Sequence, residues 1–151
     1  MRQAWWKVPV YCLAASWLCF QLEVRILGRF AIVTLPDGTI TSDPVRWMIL
    51  SGVLFAAVLA VGGLYFFRNM SRRELALSAT VMLGINIVFG LLAYQLQGMF
   101  AIYWAEFSEW SSILNQVLFR LGLNQWLSAG ITWCAPYLFV LFGKRRREEN
   151  G

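Results

Sequence analysis

The chain has 151 residues and a net charge of +5, and it is too apolar for a soluble domain of this size. Hydrophobic residues make up 59% of it and charged residues 14%, whereas soluble domains carry about 25% charged residues. Because a small globule cannot bury so much apolar surface, we expect lipid to be the solvent for much of it. Histidine is absent, which excludes Ser-His-Asp and Cys-His nucleophilic systems and the usual zinc sites.

The first apolar segment follows Arg2 and Lys7, as it would in a secretory signal peptide. No small-x-small cleavage site comes after it, and the chain continues into Gln21, Glu23 and Arg25. We therefore interpret this segment as an uncleaved transmembrane helix over residues 5–28.

Three further segments are long and apolar enough to cross a bilayer, which takes about 20 residues. They cover residues 45–67, 75–97 and 126–143. Two helix starts carry recognisable signals: Asp43 before Pro44 is a typical N-cap, and Ser71 with Glu74 predicts a capping box. The predicted fold class is thus an all-α integral membrane protein, a single domain that forms a bundle of four transmembrane helices.

Lys and Arg are distributed unevenly between the two sides of the predicted bundle. With the N-terminus inside, nine lie on the inner side, on the N-terminal flank, in the inner loop 68–74 and in the basic tail 144–151. Four lie on the outer side. By the positive-inside rule, this asymmetry predicts a multi-pass protein of the plasma (inner) membrane with both termini in the cytoplasm.

The first outer segment, residues 29–44, contains two β-prone stretches on either side of a turn signal, Pro36-Asp37-Gly38. We expect a short β-hairpin-like loop there, at the membrane surface.

The second outer segment, residues 98–125, contains apolar side chains at helical spacing over 107–121. Charged and amide side chains occupy its other faces, and they would be costly at the centre of a bilayer. We therefore expect an amphipathic helix over 106–121 that lies in the outer membrane interface.

Six polar or charged residues are candidates for one polar cavity: Glu23, Arg25, Arg29, Asn86, Gln97 and Glu106. A carboxylate within a span indicates a functional role by default. The alternative for Glu23 is a structural pairing near the outer interface with an arginine or a loop donor. Asn86, near the middle of its span, needs a partner in either a helix contact or a cavity.

Small residues share one face in each of two helices and predict helix–helix contacts there. In the second helix these are Gly52, Ala56 and Ala60, and in the third helix Gly90 and Ala93 accompany Asn86 and Gln97.

The three cysteines are expected to be free thiols that pack as small apolar groups. Cys12 and Cys19 are two helical turns apart, roughly 10 Å, which is too far for a disulfide within one intact helix. A pairing of either with Cys134 stays open, if the first and fourth helices meet at matching depth.

The sequence shows no nucleotide loop, metal cluster or charge-lined pore, so no cofactor, metal or nucleic-acid partner is expected. The favoured function is that of a small polytopic, non-enzymatic accessory, scaffold or lipid-interacting subunit. One alternative is a transporter or flippase-like protein for a lipid-linked or amphiphilic substrate. Another is a membrane-embedded enzyme that acts on a lipid headgroup. Membrane lipids are the expected partners, with a membrane protein or a second copy of the chain as a further one.

Overall fold

The computed structural model describes residues 5–144, and most of this part is helical. The elements, in chain order, are α1 (Lys7–Ala31), β1 (Ile32–Thr34), β2 (Ile40–Ser42), α2 (Pro44–Phe66), α3 (Arg72–Leu96), α4 (Gly98–Ser108), α5 (Ser112–Arg120) and α6 (Gln125–Phe142). Four of them, α1, α2, α3 and α6, are long and apolar enough to cross a membrane, as predicted. Arg2 and the basic tail beyond Lys144 lie outside the described residues.

The two predicted helix starts are confirmed. The Asp43 side chain accepts hydrogen bonds from the first backbone N–H groups of α2, and Pro44 occupies the first helical position. At the start of α3, the Ser71 hydroxyl accepts from the Glu74 backbone while the Glu74 carboxylate accepts from the Ser71 backbone.

Three of the long helices are irregular where the sequence suggested continuous α-helix. In α1 the turn Glu23–Leu27 is π-helical, and so is the turn Gly62–Phe66 of α2. In α6 the α-helix covers Gln125–Trp133 and gives way to a 3₁₀ helix over Ala135–Phe142, because Pro136 has no N–H with which to continue the ladder. The Thr132 hydroxyl donates to the Ser128 carbonyl within the α-helical part.

Between α1 and α2 the chain forms a two-stranded antiparallel hairpin in which Val33 pairs with Thr41. Gly38 adopts a positive φ of 83° at the turn, and the Asp37 carboxylate accepts hydrogen bonds from the Thr39 N–H and hydroxyl. These bonds hold the pKa of the exposed Asp37 below its usual value. We call this side of the bundle the hairpin end.

The opposite side, the basic end, carries Lys7, Arg68, Arg72 and Lys144. Here the rings of Tyr11, Phe67 and Phe139 pack edge to face. Gly62 and Gly63 permit this approach, because a Cβ on Gly63 would lie 2.3 Å from the Phe142 ring.

The predicted contact face of the second helix is wrong: Ala56 and Ala60 are exposed, and nothing lies within 4 Å of a Cβ built on Gly52. The close approach occurs instead at the two consecutive glycines near the helix end. In α3 the contact at Gly90 does exist, because a Cβ there would lie 2.5 Å from the Trp133 ring.

The expectation of one continuous helix over 106–121 is also wrong. The segment is divided into α4, a one-turn 3₁₀ helix over Glu109–Ser111, and α5. Gln97 and Gly98 both have positive φ, and this turn sends α4 back along α3, where Phe89 stacks on Phe100 and Trp104. α5 then packs against α6. We call residues 98–120 the inserted hairpin.

The tip of the inserted hairpin lies inside the bundle, close to the middle of the long helices. Trp110 is 3% exposed and stacks between the rings of Phe55 and Phe139, while its backbone N–H donates to the Ser16 hydroxyl. In the apolar stripe predicted for a surface helix, Trp110 and Ile113 are therefore buried among other helices, whereas Phe107 and Leu121 at its ends are exposed.

Candidate functional site: two cavities beside the inserted hairpin

Glu23 and Glu109 bring two carboxyl groups together inside the bundle. Glu23, in the π-helical turn of α1, is 5% exposed and lies next to the hydroxyl of Ser51 and the carboxyl of Glu109. Ser112 donates a 2.7 Å hydrogen bond to the Glu109 carboxylate. Cys19, one turn before Glu23, lies beside both acids. The pair is thus formed by the first helix and the tip of the inserted hairpin.

Within residues 5–144 no Lys or Arg side chain forms an ion pair with either acid, and the ion pair found there joins Arg46 to Asp43 at the surface. Two ionised carboxyl groups close together without a cation are electrostatically unfavourable in a medium of low dielectric. A proton shared between them or a bound cation would relieve this repulsion.

Glu109 also faces a polar cavity of about 240 Å³ between α3, the inserted hairpin and α6. Its walls combine amide, hydroxyl and carboxylate groups with parts of Trp110 and Trp133; the polar members are Asn86, Ser108, Glu109, Ser111, Ser112, Asn115 and Thr132. The volume is several times the roughly 30 Å³ that a water molecule occupies in the liquid.

Two amide side chains of this cavity have oxygen atoms that accept no hydrogen bond within residues 5–144. Asn86 is 6% exposed, and its Nδ2 donates to the carbonyl of Trp133 at 3.3 Å. Its Oδ1 accepts no hydrogen bond from residues 5–144. The Oδ1 of Asn115 is buried without a partner in the same part of the chain. The residues of the cavity wall thus include unpartnered amide oxygens, which are acceptors.

A second, larger cavity of about 660 Å³ is an apolar groove between α1 and α2. It extends along α1 from Trp6 and Lys7 to Leu22, and Leu54, Val58 and Val61 of α2 form its other wall. The Tyr11 hydroxyl, the main polar group of the wall, is occupied by a 2.7 Å hydrogen bond to the Val58 carbonyl. The groove therefore offers an almost entirely apolar surface.

The six predicted cavity residues do not share one site in the structure. Glu23 belongs to the carboxyl pair and Asn86 to the polar cavity. Arg25, Arg29 and Gln97 are exposed, and Glu106 is half-buried on α4 outside the cavity walls.

Sequence reasoning missed Glu109, Ser51 and Asn115. Glu109 is one of the charged side chains expected on the polar faces of the helix over 106–121, although it stands in the run Ser108-Glu109-Trp110-Ser111-Ser112. Three serines around one tryptophan are unfavourable in a long helix and were the available signal for a break. For Ser51 and Asn115 the sequence carries no comparable signal.

The three cysteines are free, as predicted: Cys12 and Cys19 are buried and Cys134 is exposed. No protein-family model matches the chain, and no curated protein or solved structure shows a significant similarity to it.

Proposed function

We propose that this protein is a non-enzymatic, multi-pass membrane protein that binds the acyl chain of a membrane lipid in the groove between α1 and α2. The proposal rests on the size and the composition of this groove. Its volume lies within the roughly 300–1,000 Å³ typical of ligand sites, and its two walls are helices of membrane-crossing length and composition. In a bilayer such a groove opens to hydrocarbon chains rather than to water.

Charge and aromatic residues at one end of the groove favour a particular orientation of the lipid. Lys7 and Trp6 line that end, at the basic end of the bundle. An exposed ammonium beside an indole is typical of the headgroup level of a membrane. An anionic lipid headgroup beside Lys7 would thus be followed by its acyl chain along Val10 and Ala14.

We further propose that the basic end faces the cytoplasm, that the β-hairpin faces outside, and that the membrane is the plasma (inner) membrane. The uneven distribution of Lys and Arg supports this orientation. The test is labelling of intact cells with a membrane-impermeant maleimide. A Gly38→Cys variant without the native cysteines should be labelled from outside, and tags at both termini should be accessible only after lysis. Labelling of either terminus in intact cells would contradict the orientation.

The lipid site is tested with two neighbouring alanines of α2. Both are exposed, but Ala57 lines the groove and Ala56 does not. Ala57→Trp should fill the groove, whereas Ala56→Trp adds the same ring outside it. The purified full-length protein, in nanodiscs that contain an anionic phospholipid with a photoactivatable acyl chain, is irradiated and the attached lipid is located by mass spectrometry.

For the wild type and Ala56→Trp, we expect attachment to α1 and α2 residues of the groove. Ala57→Trp should reduce it several-fold while the protein remains folded. Equal labelling of all three proteins, or attachment spread evenly over the four long helices, would contradict the proposal.

A second candidate function, transport of an amphiphile, is favoured by the polar cavity and carboxyl pair that lie beside the apolar groove. The test is movement of a fluorescent phospholipid between the leaflets of proteoliposomes. Transport through the groove requires that Ala57→Trp stop the movement and that Ala56→Trp preserve it.

For an enzyme acting on a headgroup, Arg25 and Arg29 would have to meet Glu23 or Glu106, and within residues 5–144 they form no ion pair with these acids.

A further inference from the structure

We propose that the polar cavity at the tip of the inserted hairpin binds one monovalent alkali-metal cation, held by Glu109, Asn86 and Asn115. This site is separate from the lipid groove, and the inference does not depend on it.

The hydrogen-bond requirements of the cavity wall point to an occupant that is positively charged. The amide oxygen of Asn86, in a side chain that is 94% buried, has no donor within residues 5–144, because the amide nitrogen is the atom that bonds to Trp133. The buried Oδ1 of Asn115 has none either. Glu109 adds a carboxylate that already accepts from Ser112 and retains further lone pairs. Carboxylate and carbonyl oxygens together are the ligands that hard cations prefer.

Charge decides between a monovalent and a divalent ion. A single carboxylate, that of Glu109, lines the cavity, and the other oxygen ligands are neutral. Within residues 5–144 no group of three His, Cys, Asp or Glu side chains is arranged to hold a metal ion, so the carboxylate-rich donor set of a Ca²⁺ site is lacking. One positive charge balances one carboxylate, and a second charge would be uncompensated at this depth.

Glu23 affects this site indirectly, through Glu109. It lies next to Glu109 and Ser51 but does not line the cavity. Its carboxyl therefore positions Glu109 without binding the ion. The titratable groups next to Glu109 are Glu23 and Cys19, so a proton is the natural competitor for the same place.

The test uses full-length protein in nanodiscs of a zwitterionic lipid, at constant ionic strength and neutral pH. Thermal unfolding is followed in choline chloride and after its replacement by LiCl, NaCl or KCl, and binding is measured by calorimetric titration of the preferred ion. Because a ligand that binds only the folded state raises its stability, at least one alkali ion should raise the Tm by several degrees, saturably and with one ion per chain.

Glu109→Gln should abolish the ion-dependent rise in Tm, and Glu106→Gln, on the same segment but outside the cavity, should retain it. If Glu109→Gln does not fold, Asn115→Ala serves instead, and it should weaken binding about tenfold, as expected for one lost oxygen ligand to a charged group. Glu23→Gln should weaken binding by less than Glu109→Gln does.

Three results would overturn the proposal. One is a wild-type Tm that is the same in choline and in all three alkali salts. Another is a Tm that rises on acidification in choline while the alkali ions have no effect, which would assign the site to a proton. The third is an ion-dependent rise that Glu109→Gln leaves intact.

Discussion

The apolar groove and the polar cavity both lie between helices that are long and apolar enough to cross a membrane, but the inserted hairpin contributes to the wall of only one. Leu54 and Val58 line the groove, whereas Asn86 and Glu109 line the cavity. The hairpin brings the amide, hydroxyl and carboxylate groups of residues 108–115 to the middle of the bundle. The returning segment therefore adds its own polar groups to those that the long helices contribute to the cavity, such as Asn86 and Thr132.

The first helix contacts the inserted hairpin with one face and lines the apolar groove with another. Ser16 and Glu23 contact the tip of the inserted hairpin, and Val10 and Ala14 line the groove. Non-helical backbone at membrane depth is tolerated where protein buries it, and the bend at Glu109–Ser111 meets that condition because Trp110 and Ser111 are buried. The predictions that follow compare how much the contacts of the inserted hairpin and those of the groove wall contribute to the free energy of unfolding.

The largest effect should come from removing the aromatic ring at the tip of the hairpin. Trp110→Ala deletes a ring that is stacked between Phe55 and Phe139 and should cost about 3–5 kcal/mol of unfolding free energy. Trp17, which is 51% exposed, provides the control. Thermal unfolding of both variants in one detergent checks the difference, and similar losses for Trp110→Ala and Trp17→Ala would mean that the tip is not packed in the core.

A smaller loss is expected at the close approach of α2 and α6. In Gly63→Ala the new methyl group meets the Phe142 ring and should cost roughly 1–3 kcal/mol through overpacking. At Gly84 of α3 a Cβ has no neighbour within 4 Å, so Gly84→Ala should gain about 0.5–1 kcal/mol from helix propensity. Opposite shifts in Tm are the expected result, and a gain in Gly63→Ala would contradict the packing described for the basic end.

The wall of the groove should be less sensitive than either contact. Tyr11→Phe removes the hydrogen bond to the Val58 carbonyl and should cost roughly 0.5–1.5 kcal/mol. The same change at Tyr65, which is 80% exposed, should be neutral. Chemical unfolding of the two variants makes the comparison, and a neutral Tyr11→Phe would show that this bond does not help to hold α1 against α2.

The smallest effect concerns the β-hairpin, outside both cavities. The Thr39 hydrogen bonds lower the pKa of Asp37, so the ionised carboxylate favours the folded turn. That contribution is present at neutral pH and is lost as the pH falls through the lowered pKa. In Thr39→Ala the Asp37 pKa should rise towards its usual value, which an NMR titration of the side-chain carboxyl would follow. An unchanged midpoint would show that these bonds do not determine the titration.

The long helices and their caps were predictable because their signals are local. A run of about 20 apolar residues is sufficient to indicate a span, and Asp43 and Ser71 form their capping bonds with residues two or three positions away. The position of the inserted hairpin depends instead on partners far away in the sequence, such as the bond between Trp110 and Ser16 across 94 positions. An apolar helical face has the same periodicity whether it covers lipid or protein.

The candidate site was predictable only in part for the same reason. Glu23 and Asn86 could be singled out because a polar group within a span is itself unusual. Their neighbours Glu109 and Asn115 occupy a segment that looks like a polar surface, and only the fold brings them to the middle of the bundle. Gln97 shares a helical spacing with the buried Asn86, yet it is exposed, because periodicity alone does not give the direction of a helix face relative to its neighbours.

The depth of residues 98–120 in a bilayer tests the central claim most directly. Nitroxide labels are placed one at a time at Met99, Phe107 and Phe119, all of which are exposed, and their accessibility to oxygen and to a water-soluble nickel complex is compared in nanodiscs. The inserted hairpin predicts that position 107 is much deeper than positions 99 and 119. Equal, shallow depths at all three positions would place the segment on the membrane surface and contradict the account.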